Sequence, residues 1–254
     1  MNIPWISITG VRSIADINVV NSALIKLGAN IPTICNFCGS YKRLNDYYIE
    51  GEHSCSINQL IDIGHRMPKN FAGKIGLHFS PNPNGKFSDD CIKYINLMRK
   101  YFNVEQLTII SLWPDKQELE ILRSKLNIDI VIQIPLYKVE NINNKEIANK
   151  VLDYVNDVSA FIFDMSGGNG IEHDVTSVMD IILPIADVLS EKICIAGGLN
   201  GNNVYHIVKN YFRQGILCAV DAQSCLTYGG MLNYERILGY LQNCSRFYEE
   251  ICWR

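Results

Sequence analysis

The stretch Ala160-Phe161-Ile162-Phe163-Asp164-Met165-Ser166-Gly167-Gly168-Asn169-Gly170 decides how the chain is read. Its first four residues are apolar without a polar residue at alternate positions, the pattern of a strand covered on both faces, as in a parallel sheet wrapped by helices. The run closes on a carboxylate, turns through glycines, and residues 175–189 resume with helical spacing. The same alternation recurs along the chain. Strands are expected at 5–9, 32–37, 74–79, 106–112, 129–136, 160–164, 192–196 and 217–221, with helices at 16–27, 56–66, 89–101, 116–126, 145–158, 175–189 and 203–212. Eight strand–helix units in 254 residues are the size of an α/β protein of the (β/α)8 barrel type. No proline- or serine-rich linker interrupts them, so a single domain over 1–254 is expected. Two loops, 38–55 after the second strand and 80–88 after the third, exceed what a minimal barrel needs and are expected to cover its mouth.

Composition narrows the partners. With 48% hydrophobic residues the chain can bury a sizeable core, and 23 Lys and Arg against 26 Asp and Glu leave a net charge of −3. Neither a nucleic acid nor an anionic membrane is attracted by such a surface, so a small molecule is the expected partner. No apolar run approaches membrane-spanning length, and Met1-Asn2-Ile3-Pro4-Trp5 is not a basic segment leading into one. Nine cysteines, an odd count lying within apolar runs, fit a reducing cytoplasm.

Barrels carry their chemistry at the C-terminal ends of the strands, so the polar residues there are the candidates. Asp164 closes an apolar strand, and partial desolvation of such a carboxyl suits it to act as a general acid; the plainer reading is a turn carboxylate capping the next helix. Gly167, Gly168 and Gly170 let backbone N–H groups approach an anion. After strand seven come Gly197-Gly198-Leu199-Asn200, with an asparagine as the expected cap of the following helix, and after strand eight come Asp221 and Ser224. Loops in these two places often hold phosphate with backbone amides.

Four patches together resemble phosphoribosylanthranilate isomerase, the barrel enzyme of tryptophan biosynthesis. They are Ser7-Ile8-Thr9-Gly10-Val11, the segment from Phe37 to Arg43, Asp164 with its glycine turn and Asp174, and Ala196-Gly197-Gly198-Leu199-Asn200 with Asn203-Val204, Val220-Asp221 and Ser224. The resemblance implies an isomerase without a cofactor. Phosphate would lie on Gly197, Gly198, Ser224 and the amides around Gly168, and Asp164 would protonate the ribose ring oxygen. Arg43 would pair with an aromatic carboxylate, a contact that suits the bidentate guanidinium. Asp221 matches the family's ribose-hydroxyl ligand. On strand one the sequence departs from the family: the cysteine that serves as base is Thr9 here, and an alcohol ionises too weakly to replace a thiolate unaided.

Two groups are candidates for the missing base. His78 is one, because imidazole as a group titrates near neutrality and alternation along the strand can point the side chain into the mouth; Asp221 offers a second carboxylate opposite Asp164. The expected activity is therefore an Amadori-type isomerisation or a divergent proton transfer at the sugar. The alternatives are a catalytically inactive phosphosugar-binding barrel or a zinc enzyme built on Cys35, Cys38, His53 and Cys55. Against zinc, alternation sets Cys35 and Cys38 on opposite faces of a continuous strand. Phe37, Tyr41, Tyr47, Tyr48 and Trp113 are candidates for stacking on a planar ring or for lid packing. The C-terminal segment from 247 is expected to pack as a last helix at the barrel bottom, in a monomer or a homodimer.

Overall fold

A computed structural model describes residues 4–28, 32–44, 54–82, 86–139, 142–167 and 169–252. In chain order the elements are β1 (Ile6–Val11), α1 (Ile14–Leu27), β2 (Thr33–Ser40), α2 (Tyr41–Leu44), α3 (Ile57–Arg66), β3 (Lys74–Ser80), α4 (Ser88–Met98), β4 (Val104–Ile110), α5 (Lys116–Lys125), β5 (Asp129–Pro135), α6 (Asn144–Tyr154), β6 (Ala160–Asp164), α7 (Val175–Ile182), α8 (Ala186–Leu189), β7 (Ile193–Ala196), α9 (Val204–Arg213), β8 (Ala219–Ala222), a hairpin of β9 (Thr227–Tyr228) and β10 (Met231–Leu232), and α10 (Tyr234–Cys252). Strands β1 to β8 pair in parallel, each with its neighbours in sequence, and β8 returns to β1 to close the barrel. The seam pairs Ile6 with Val220, Ser7 with Asp221 and Ile8 with Ala222.

Local chemistry starts and stops these elements. Ser56 and Gln59 form a reciprocal capping box at α3, and the Asp115 side chain accepts from the amides of Gln117 and Glu118 at α5. Gly28, in the left-handed region, ends α1. The single helix expected over 175–189 is divided: Pro184 in a 3₁₀ turn over Leu183–Ile185 separates α7 from α8. Strand β2 runs past Phe37 to Ser40, because Cys38, Gly39 and Ser40 keep their pairing with His78, Phe79 and Ser80. The segment from 247 is the end of the longer α10, which packs between α1 and α9 and reaches the foot of β8, where the Tyr248 hydroxyl donates to Cys218 O at 2.8 Å.

Apolar side chains alternate between two cores. The larger lies between barrel and helices and includes Phe37, Leu77, Phe79, Leu107, Ile109, Phe161 and Phe163. A smaller one, made of Val131, Ala160, Ile162, Cys194, Ala196 and Ala219 with Trp5 against it, lies inside the barrel. Each fully buried aliphatic side chain contributes about 1.5–3 kcal/mol. The buried tyrosines Tyr94, Tyr240 and Tyr248 each donate to a backbone carbonyl, so their hydroxyls are not stranded. Among the described residues no helix is long and apolar enough to cross a membrane.

Candidate active site

The inward-facing residues of β1, β3, β5, β6 and β8 meet at the C-terminal end of the barrel. The Thr9 hydroxyl, fully buried, donates to Asp221 Oδ1 at 2.7 Å and lies 3.4 Å from His78 Nδ1. On the other side of its ring, His78 Nε2 bonds Gln133 Oε1, and Gln133 Nε2 donates to Asp164 Oδ2 at 2.6 Å. One file of side chains in polar contact thus runs Asp221, Thr9, His78, Gln133, Asp164. Asn36 supports it from below, donating to Ser7 Oγ at 2.7 Å and to Thr9 Oγ1 at 3.3 Å.

Asp164 is oriented by the turn that follows it. Ser166 N donates to Oδ1 at 2.9 Å, and Gly167 N lies 3.2 and 3.1 Å from the two carboxylate oxygens. The capping carboxylate of the next helix is Asp174, which accepts from Thr176 N and Ser177 N, so Asp164 is not that cap. Gly167 has φ +56°, and a Cβ there would run into the Tyr137 ring, so a glycine is required for the turn to fold under that tyrosine. The rest of the turn is pinned by His173: its Nδ1–H donates to Ala196 O at 3.0 Å and its Nε2 accepts from the Tyr211 hydroxyl at 2.8 Å. Burial holds His173 below its ordinary pKa of 6.5.

Above the file opens a cavity of about 270 Å³. His78, Asp164, Asp221, Gly167, Gly197, Gly198 and Ser224 all line it, so most of the expected residues converge. Gly198 has φ +63°, and a Cβ there would collide with the Ile171 carbonyl, which fixes a glycine at this point of the rim. Gly170 stands beside Ser224, whose Oγ is 3.4 Å from where a Gly170 Cβ would sit. Gly168 lies outside the described residues. Arg43, on α2, does not line the cavity; the cationic side chain that does, among the described residues, is Lys138, next to Tyr137 in the 3₁₀ turn after β5. Asn203 occupies the cap position of α9 but makes no cap bond: its side chain turns back to accept from Asn200 N and donate to Gly198 O, bracing the glycine rim.

The cysteines divide as strand alternation requires. Cys35 joins the outer core, whereas Cys38 faces the cavity. His53 lies outside the described residues, and among those described no group of three or more metal-binding side chains comes together. Burial pushes the Cys38 thiol up to about 12, with Asp221 adding to the rise and Arg12 and the Gly10 amide opposing it. Cys38 therefore remains a thiol at neutral pH. Of the aromatic candidates, Phe37 packs on Phe102, and Trp113 stacks on Tyr154 with ring centres 6.1 Å apart, while Tyr41 packs against the core. Tyr47 and Tyr48 lie outside the described residues. Among the described residues the tyrosine that lines the cavity is Tyr137, whose hydroxyl is pushed up by burial and by Asp164. Gln133, Asn36, Tyr137 and Lys138 were not expected from the sequence, although Gln133 interrupts an apolar strand, a signal open to anyone counting alternate positions.

A closed (β/α)8 barrel with carboxylates, an imidazole and a glycine rim gathered at its C-terminal mouth has the layout of a barrel enzyme. The family model for N-(5′-phosphoribosyl)anthranilate (PRA) isomerase matches residues 93–243, and the chain belongs to that family. No curated protein matches it. Among solved structures it is similar to phosphoribosyl anthranilate isomerase from Thermotoga maritima, with 14% identity, TM-score 0.66 and coverage of 96% of this chain and 99% of that one. It is also similar to N-(5′-phosphoribosyl)anthranilate isomerase from Pyrococcus furiosus, with 13% identity, TM-score 0.65 and coverage of 96% and 99%. A third similar structure is a phosphoribosyl anthranilate isomerase in complex with reduced 1-(o-carboxyphenylamino)-1-deoxyribulose 5-phosphate, at 13% identity, TM-score 0.65 and the same coverage. At such identities the likeness establishes the fold.

Proposed function

We propose that the chain isomerises N-(5′-phosphoribosyl)anthranilate to 1-(o-carboxyphenylamino)-1-deoxyribulose 5-phosphate with a base other than the usual cysteine. The observation that carries this reading is the pair of carboxylates, Asp164 and Asp221, lining one cavity and joined through Thr9, His78 and Gln133. Asp164 gives its proton to the ribose ring oxygen; the C1–O bond breaks as the aniline nitrogen lends its electron pair, leaving an iminium. The base then removes the C2 proton, the electrons form the enolamine, and its tautomerisation places a proton on C1 and the ketone at C2. No proton is gained or lost overall.

Asp221 is the base in this scheme, with Thr9 and His78 behind it. Thr9 is too weak an acid to serve, but its hydroxyl, donating to Oδ1, holds the Asp221 carboxylate in place. Paired carboxylates on opposite sides of a substrate are a recurrent way of dividing acid from base. Phosphate is assigned to the amides at Gly197 and Gly198 with the Ser224 hydroxyl, beside Gly170. We assign the aglycone carboxylate to Lys138 rather than Arg43, because Lys138 lines the cavity, and the anthranilate ring to Tyr137.

Turnover followed by the fluorescence of the substrate tests the proposal. The wild-type chain is expected to convert phosphoribosylanthranilate, and Asp164→Asn to lose about 10²–10⁴-fold in kcat while remaining folded. A folded Asp164→Asn enzyme with undiminished turnover would remove Asp164 from its role. The replacement of cysteine by Thr9 favours one second reading, a barrel that binds phosphosugars without converting them. Calorimetric binding of a ribulose 5-phosphate derivative with no turnover by the wild type would establish that reading instead.

A further inference from the structure

The bonds along the file from Asp221 to Asp164 do not all point the same way, and the side chain that sets their direction is Gln133. An ionised Asp164 only accepts, so Gln133 presents its amide N–H to Oδ2 and its carbonyl to His78. The His78 proton is then on Nε2, and its bare Nδ1 faces Thr9 Oγ1. Thr9 has given its own hydrogen to Asp221 and accepts one from Asn36. Two lone pairs therefore meet at the 3.4 Å contact, the long step of the file.

To act as an acid Asp164 must first carry a proton, and a protonated Oδ2 donates. A glutamine amide presents oxygen or nitrogen to the same two neighbours after half a turn of its terminal torsion, which is broad and nearly two-fold. From this we infer that Gln133 is a positioning residue that couples the protonation of Asp164 to the tautomer of His78. With Asp164 protonated, Gln133 Oε1 turns to it and Nε2 turns to His78. The imidazole gives up the proton on Nε2 and takes one on Nδ1, with no net change. Every donor then points from Asp164 toward Asp221: carboxyl to amide oxygen, amide N–H to Nε2, Nδ1–H to Thr9, hydroxyl to Asp221. The facing lone pairs disappear in the state in which the acid is loaded and the base is ionised. A carboxamide does not pass protons along readily, so Gln133 couples the two carboxylates while keeping their protons separate.

This inference rests on Asp164 being the acid, and its test does not use turnover. Asp164→Asn imitates the protonated acid: the amide of Ser166 holds the side-chain oxygen and leaves the NH₂ group facing Gln133. Imidazole ¹⁵N NMR of the full chain, at a pH where His78 is neutral, is expected to show the Nε2–H tautomer in the wild type. In Asp164→Asn the Nδ1–H tautomer should replace it, and in Asp164→Asn/Gln133→Leu that inversion should be lost. A folded Asp164→Asn protein that keeps the Nε2–H tautomer would overturn the inference. Should that variant fail to fold, Gln133→Leu alone decides: His78 is expected to lose its single tautomer, and its retention would overturn the coupling. Tautomer inversion on Asp164→Asn, with a wild-type protein that does not convert phosphoribosylanthranilate, would refute the proposed activity and leave the coupling in place; wild-type turnover without inversion in the variant would do the reverse.

Discussion

The two halves of the barrel interior are built on opposite principles. Below Gln133, Asp164 and Asp221 at the mouth, the inward positions of β5 to β8 are filled by Val131, Ala160, Ile162, Cys194, Ala196 and Ala219, a dry cluster closed below by Trp5. On β1 to β4 they are Ser7, Thr9, Asn36, His78, Gln106 and Thr108, all buried, while Leu77, Leu107 and Ile109 between them face the helices. Asn36 Oδ1, Gln106 Oε1 and Thr108 Oγ1 are buried without a hydrogen-bond partner among the described residues. The dry half holds the barrel together. The polar half gives up stability to hold Thr9 and His78 in fixed orientations, since a stranded buried polar atom costs about 1–3 kcal/mol.

Substitutions on the two sides should therefore differ in size and in sign. Ile162→Ala opens a hole in the dry cluster and is expected to lower unfolding free energy in urea by about 2–5 kcal/mol; a loss no larger than a surface change gives would show that this half is not tightly packed. Asn36→Leu leaves the Ser7 and Thr9 hydroxyls without their donor, so a loss of about 1–3 kcal/mol is expected, with turnover falling as Thr9 is released. A stability change without any change in kcat would detach Asn36 from the site. His173 fastens the Asp164 turn to β7 and has a depressed pKa when folded, so the unfolded chain binds its proton more readily. Its contribution is complete above the ordinary value of 6.5 and declines as pH drops from there toward the folded value, by at most about 1.4 kcal/mol per unit. Urea titrations of the wild type and His173→Gln across pH 5–8 should diverge in this sense, and parallel curves would contradict it. The smallest effect is expected at Thr108→Val, which removes an unpartnered hydroxyl at nearly constant shape: no change, or a gain of up to about 1 kcal/mol. A clear loss there would mean that the hydroxyl is bonded in solution.

The strands were legible because segments such as Ala160-Phe161-Ile162-Phe163 are apolar on both sides, a pattern that two-sided burial writes directly into sequence. The break at Pro184 carried its own signal, but the apolar spacing on either side of it masked the interruption. Asp164, Asp221 and the glycine rim could be located because they end strands, where a barrel keeps its chemistry. Gln133 and Asn36 are harder to see: each is one polar residue within an apolar run, and what it does depends on partners 31 and 29 residues away. Lys138 follows a proline-ended strand, and only the fold of the 3₁₀ turn brings it to the cavity while leaving Arg43 outside.

Closure of the barrel has a consequence for synthesis on the ribosome. Strand β1 is made first, yet its second neighbour is β8, and the Thr9–Asp221 bond spans 212 positions. Until β8 (Ala219–Ala222) emerges, the growing sheet has two raw edges and Thr9 lacks Asp221. A nascent intermediate stalled before residue 219 would thus be sticky, so protection from aggregation arrives only with the last strand.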